Sequence, residues 1–205
     1  YEMSKSLKDG MFPVRWASDL GYGYGYPLFN FYAPLAYYIG GSLHALGFDA
    51  LLATKIMMIV GILMSGVFMY LLAREFWGEI GGVVSGLLYL YAPYHALDIY
   101  VRGDVAEFWA YAFIPLAFYG VWKTYKEQKW RFVVIGSFGY AVVILSHNLT
   151  AMMVTPFLLI VSLSYCFIAN KGKKLSTLNF QLSIFFLGLL LSAFYWFPAL
   201  FEMKY

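Results

Sequence analysis

The chain has 205 residues, of which 62% are hydrophobic, 21% aromatic and only 12% charged, with a mean hydropathy of +0.68. Soluble domains carry about 45 to 50% apolar and about 25% charged residues, so this composition excludes a soluble globular class and implies an integral membrane protein. The net charge of +3 is small and its lysines and arginines gather in short turns, which argues against nucleic acid as a partner. A single cysteine, Cys166, lies in an apolar run as a small hydrophobe, and excludes both a disulfide framework and a thiolate metal centre. The chain opens on Tyr1 without a signal peptide and stops on Lys204-Tyr205 beside a membrane segment, so we expect an internal segment of a longer polytopic protein.

In chain order, residues 1–50 predict an outer loop followed by a juxtamembrane or re-entrant helix. From Lys8 to Pro34 turn formers and tyrosines dominate, which reads as an ordered extramembrane loop without helix. Gly21, Gly23 and Gly25 lack the preceding strand and following helix of a dinucleotide loop. The alternating Tyr22, Tyr24 and Tyr26 instead suggest an aromatic rim at headgroup level, whose rings are also suited to stack on a sugar. Phe31 to Leu46 is apolar but short and broken by Pro34, Gly40 and Gly41, so we expect it to lie at the interface or re-enter. If it does not cross, the loop shares the outer face with the charged cluster described below, which is the placement we favour.

Residues 51–205 predict a transmembrane helical region of about six spans: Leu51–Ala73, Ile80–Leu97, Val105–Trp122, Phe132–Ser146, Leu149–Ala169 and Gln181–Leu200. The fold class is therefore all-α, a polytopic helical bundle. Gly61, Gly66, Gly81, Gly82 and Gly86 are candidates for close helix contacts. The turns holding Lys123, Lys126, Lys129 and Arg131, and Lys171, Lys173 and Lys174, are the strongest positive loops and predict the cytoplasmic side. Arg102 to Asp104, the His147-Asn148 turn and Glu202 then lie outside, with Arg74 to Glu79 inside.

Between the second and third spans Asp98, Arg102, Asp104 and Glu107 form the densest ionisable cluster outside the lysine turns. Charge at a membrane boundary costs several kcal/mol to desolvate unless it meets water, a metal, a partner or a substrate. Asp104 and Glu107, three apart, share one face of a helix starting there, and acidic residues in that place also cap the helix. Arg102 has two readings, phosphate binding or local pairing with Asp98 or Asp104. His147 and Asn148 read as a polar turn or as part of a site. Lys55 is expected to snorkel, and Glu202 to be a solvated end.

Five segments carry a resemblance. Asp9-Gly-Met-Phe-Pro-Val-Arg15-Trp16 with Gly21 to Tyr38, Arg102 to Phe108 with Ser146 to Ala151, and Ser192 to Glu202 resemble bacterial and archaeal membrane proteins related in name to 6-pyruvoyl-tetrahydropterin synthase. Those proteins are similar to YfhO-like and broader GT-C glycosyltransferases. The pterin name itself fits poorly, because soluble pterin synthases bind zinc through clustered histidines, and His44, His95 and His147 lie far apart in sequence. The GT-C resemblance implies transfer of a sugar from a polyprenyl-phosphate donor to an acceptor at the outer face of a prokaryotic cytoplasmic membrane. It implies catalytic carboxylates at Asp104 and Glu107, with Asp9 and Asp19 as first-loop candidates. Substrate contacts then map to Arg15, Arg102, His147, Asn148, Tyr24 and Tyr26, and a divalent cation (Mg or Mn) to Asp104 and Glu107. Such a transfer needs a proton acceptor and a cation beside the departing phosphate. A transporter, or a scaffold that binds lipid or glycan without chemistry, is the alternative class; charge at one surface favours the enzyme over a path through the midplane.

Overall fold

Gly78 folds the longest apolar run of the chain back on itself. The computed structural model, which describes residues 1–203, has a helix α4 over Ala50–Leu90 that is regular except at Gly78, where φ is 70° and ψ −173°. A residue with a Cβ is strained in that conformation. The arms 50–77 and 79–90 lie antiparallel: a Cβ on Gly86 would sit 3.0 Å from the Gly66 carbonyl oxygen, and one on Gly82 would meet the Tyr70 ring at 2.9 Å. Gly61 leaves room for the Phe108 ring, whereas Gly81 meets only Trp77 one turn back.

Beyond α4 the chain continues through α5 (Pro93–Ala96) into a π-helical turn, Leu97–Arg102, which stops at Gly103 with φ 63°. Four long helices follow: α6 (Val105–Glu127), α7 (Trp130–Ser146), α8 (Asn148–Ile168) and α9 (Lys174–Glu202). Four helical runs among the described residues are long and apolar enough to cross a bilayer, namely 50–102, 105–127, 148–168 and 171–202. The first contains two of the expected spans, joined at Gly78. α7 is apolar but has 17 residues. The bundle is all-helical, as expected of a multi-pass membrane protein.

α6 is the central helix, burying Phe108, Trp109, Phe113, Leu116 and Val121 among others. Against it α7 approaches backbone to backbone: a Cβ on Gly120 would lie 2.2 Å from Gly136 Cα, and one on Gly139 2.7 Å from the Ala117 nitrogen. Small residues permit this contact, which dispersion stabilises where lipid removes any hydrophobic drive. α8 buries only Ala151, Leu158 and Ser162, and exposes Phe157, Ile160 and Leu163. An apolar outer face of this kind is what lipid contact requires.

The N-terminal segment packs on one end of the bundle. α1 (Glu2–Lys8) and α3 (Leu35–Ala45) meet around Met3, Val14, Ala17 and Phe29. At 11 residues α3 is about 16 Å long, well short of a hydrocarbon core of about 30 Å. It is therefore too short by itself to span that core. The expected loop is irregular as predicted, apart from the single turn α2 (Leu28–Phe31). It is ordered by an antiparallel pair in which Ala17 and Tyr26 exchange N–H···O bonds of 2.9 Å. The Trp16 indole covers Gly25, at which φ is +81° and any Cβ would collide with Trp16 Nε1 at 2.0 Å.

Candidate functional site

The two ends of the bundle differ in charge. At one end Glu75 takes Lys123 at 3.2 Å and Lys126 at 3.5 Å, and Glu127 takes Lys123, Lys129 and Arg131 at 2.5 to 3.1 Å. Gln128 reaches Thr177 at 3.0 Å at that same end. At the opposite end lie the N-terminal segment, the 103 turn, the 147 turn and the end of α9.

Pro93 starts α5, Gly103 ends the π turn, and between them Tyr94, Asp98 and Arg102 fall four apart. The wider π turn keeps them on one face. Arg102 Nη1 donates to Asp98 Oδ1 at 3.0 Å and to Tyr94 Oη at 3.1 Å, and approaches Glu107 Oε2 at 2.5 Å. Its Nη2 reaches Asp104 Oδ2 at 3.3 Å. The Tyr94 hydroxyl donates to Glu107 Oε1 at 2.5 Å. Asp104 is the N-cap of α6, its Oδ1 accepting from the Glu107 N–H at 3.0 Å. Capping and site membership therefore coexist in Asp104, and Arg102 pairs locally with three carboxylates at once. Its side chain stays 41% exposed while that of Asp98 is fully buried.

The α7–α8 turn faces this cluster. Donor atoms of Asp104, Glu107 and His147 lie within 4.8 Å of one another, a spacing that a divalent ion can bridge. His147 Nδ1 is 2.8 Å from Thr150 Oγ1, which orients the ring. Three carboxylates face one guanidinium, so the cluster is left two charges negative. Asp98 Oδ2 is buried with no partner among the described residues. Two carboxylates and one imidazole within that spacing form a donor set that suits Mn better than Mg, which prefers oxygen ligands throughout. The residues therefore fit such an ion.

The N-terminal segment closes over the same end. Tyr195 Oη, on α9, lies 2.9 Å from the Phe31 carbonyl and 2.7 Å from Asn148 Oδ1, and Asn148 Nδ2 donates to Phe31 O at 3.1 Å. The buried Asn30 donates to Glu202 at 2.5 Å, and Arg15 sits 3.6 Å from the same carboxylate. Glu202 is thus exposed, as expected of a solvated end, and also the anchor of a strap. Burial pushes the Tyr37 phenol up, its neighbour Tyr32 adds to this, and the Asp104 carboxylate contributes last.

An apolar cleft of about 490 Å³ opens at this end, lined by Tyr37, Gly40, Gly41, Thr54, Met57 and Val105 among others. Val105, the first residue of α6 after the Asp104 cap, is the cleft's nearest lining residue in sequence to the carboxylates, none of which lines it.

The structure brings Asp104, Glu107, Arg102 and His147 into one cluster, with Asn148 next to it in the strap. Arg15 belongs to the strap at Glu202. Asp19 is taken by Lys5, and its N–H by Glu2 at 3.1 Å. Asp9 is the exposed C-cap of α1, and Tyr24 and Tyr26 are exposed on the turn, without a described contact to the cluster. Sequence reading missed Tyr94, Tyr195 and Asn30. The four-residue spacing of Tyr94, Asp98 and Arg102 was a usable signal for the first; the other two depend on contacts 164 and 172 residues apart.

Residues 29–204 match the protein family described as 6-pyruvoyl-tetrahydropterin synthase related domain, a membrane protein. An uncharacterized protein of Lactococcus lactis subsp. cremoris (strain MG1363) is 26% identical over 211 residues, covering 97% of this chain and 33% of that relative. The chain thus spans about a third of the length of the curated relative it matches. No solved structure matches it. With the match running from α2 to the end of α9 and taking in every residue of the carboxylate cluster, the chain belongs to the 6-pyruvoyl-tetrahydropterin synthase related family of membrane proteins.

Proposed function

We propose that the protein transfers a sugar from a polyprenyl-phosphate donor to an acceptor at the face of the membrane carrying the Arg102 cluster, in the manner of GT-C glycosyltransferases. The observation that carries this reading is the clustering of Asp104, Glu107, His147 and Arg102 at one end of the bundle, with an apolar cleft of about 490 Å³ that reaches Val105 at the start of the same helix. A lipid-linked phosphosugar presents both halves of that arrangement, a hydrocarbon chain and a charged reacting group. The lysine-rich opposite end supports an outward-facing cluster by the positive-inside bias.

In this reading the lipid chain lies in the cleft with the phosphate toward Arg102. A carboxylate of Asp104 or Glu107 accepts the acceptor's hydroxyl proton as its oxygen bonds to the anomeric carbon, and the bond from that carbon to the phosphate oxygen breaks with its electron pair leaving on phosphate. Arg102 pairs with the phosphate oxygens, for which a guanidinium is shaped. A divalent cation held by Asp104, Glu107 and His147 would supply neutralisation of the departing phosphate. Tyr24 and Tyr26, exposed on the same end, are offered as stacking surfaces for sugar rings, and Asp9 and Asp19 as acidic groups of the first loop.

Asp104→Asn separates charge from capping, because asparagine caps a helix as well as aspartate does. The full-length protein in proteoliposomes is to be assayed with a panel of polyprenyl-phosphate sugars. Turnover by the wild type that falls at least about 100-fold in Asp104→Asn, with the thermal midpoint retained, is the expected result. Turnover unchanged in the variant removes Asp104 from the chemistry. No turnover with any donor, alongside retention of the lipid by the wild type, favours a lipid-binding scaffold.

A further inference from the structure

The lysine-rich end holds a second site, separate from the carboxylate cluster. We propose that a polar recess of about 220 Å³ between the α6–α7 turn and the α8–α9 turn binds the phosphate headgroup of an anionic phospholipid. It is lined by Lys126, Gln128, Asn170, Lys173 and Thr177, with Tyr125 and Ile168 at its edge. At about 30 Å³ per water the recess displaces roughly seven waters, room for a glycerophosphate headgroup.

Charge at this end is unbalanced. Arg74, Lys123, Lys126, Lys129, Arg131, Lys171, Lys173 and Lys174 face only Glu75, Glu79 and Glu127, an excess of five positive charges. Each acid is already engaged: Glu75 by Lys123, Lys126 and Trp122, Glu127 by Lys123, Lys129 and Arg131, and Glu79 by the Tyr70 hydroxyl. Lys173 has no acidic partner among the described residues, and Lys126 is 53% exposed with its contact to Glu75 at 3.5 Å. Two cations thus enter one recess, Lys173 without an acidic partner among the described residues and Lys126 sharing Glu75 with Lys123.

The polar groups between them are ordered. Gln128, in the left-handed region at φ 50°, donates from Nε2 to Thr177 Oγ1 at 3.0 Å and accepts from Ser176 at 3.3 Å. Thr177 is 1% exposed, and its own hydroxyl proton has no described acceptor. A phosphate oxygen would accept from it. Beside the recess Phe167, Ile168 and Leu175 are 76%, 68% and 71% exposed, an apolar strip on which acyl chains lie. That strip selects a lipid over free phosphate, because basic pockets between membrane helices on this side recruit anionic headgroups.

The test uses the full-length protein in nanodiscs of phosphatidylcholine doped with phosphatidylglycerol. Lipid retained after detergent extraction is read by native mass spectrometry. The wild type is expected to retain phosphatidylglycerol over phosphatidylcholine, and Lys126→Gln/Lys173→Gln to retain it roughly 30-fold less, about fivefold per kcal-scale lysine contact being compounded over two. Lys129→Gln/Arg131→Gln removes the same charge from the same end outside the recess and is expected to retain phosphatidylglycerol as the wild type does. Equal losses in both doubles would mean diffuse surface attraction and overturn the recess. No loss in the first double would overturn it as well. Inorganic phosphate that displaces the lipid completely at equal occupancy would make the ligand a soluble phosphate and overturn the lipid assignment.

Discussion

Replacing Arg102 by methionine keeps much of the apolar stem and removes the one cation that faces Asp98, Asp104 and Glu107. Exposed ion pairs contribute about 0 to 1 kcal/mol, while stripping the partner from a buried charge costs about 3 to 5 kcal/mol. Here the guanidinium is 41% exposed and the three carboxylate side chains 0%, 18% and 15%, so the cost falls between these limits at about 2 kcal/mol. For a chain of this length that lowers the thermal midpoint by about 4 to 8 °C. Adding Asp98→Asn removes the most deeply buried of the three charges, and the double variant should recover about half the loss. Mn²⁺ should raise the midpoint more in Arg102→Met than in the wild type, since the guanidinium no longer competes for the same oxygens. The assay is thermal unfolding in detergent with and without Mn²⁺, using Arg131→Met, 63% exposed on Glu127, as the surface reference. The reasoning fails if Arg102→Met loses no more than Arg131→Met, or if Asp98→Asn deepens the loss.

Gly120→Ala drives a methyl into the Gly136 backbone, which has no rotamer to change, and should lower stability by about 1 to 3 kcal/mol. Gly172→Ala, with nothing within 4 Å, should leave the unfolding midpoint in place. Tyr195→Phe deletes the hydroxyl shared by Phe31 O and Asn148 Oδ1 and should cost about 1 to 2 kcal/mol. Limited proteolysis of proteoliposomes should then cut the N-terminal segment faster than in the wild type, and an unchanged rate would remove Tyr195 from the strap.

The sequence made the membrane class and the helical bundle legible because apolar runs of bilayer length leave backbone groups few other ways to be satisfied. It also made the cluster legible at Arg102, Asp104 and Glu107, where charge interrupts apolar sequence. Gly78 was not, since a glycine in a helical run is a hinge only when its φ is positive. Nor was the close α6–α7 contact: Gly120, Gly136 and Gly139 lie in apolar runs that are helical as expected, but which face meets which depends on packing. His147 was singled out from its turn, yet its approach to Asp104 and Glu107 required the α7–α8 hairpin to be placed beside α6. Glu202 is exposed as expected, but its partners, Arg15 and Asn30, were not legible because they lie at the other end of the chain.

Those long-range partners set an order of assembly. Asn30 and Phe31 bond to groups on Asn148, Tyr195 and Glu202, separated from them by 117 to 172 residues. The N-terminal segment precedes its partners and has to remain undocked while α4 to α9 are made and inserted. It gains its strap only when the end of α9 emerges. The face that carries the carboxylates is thus the last part of this chain to be completed, and a nascent chain stopped short of Tyr195 holds every residue of the cluster without the covering that closes over it.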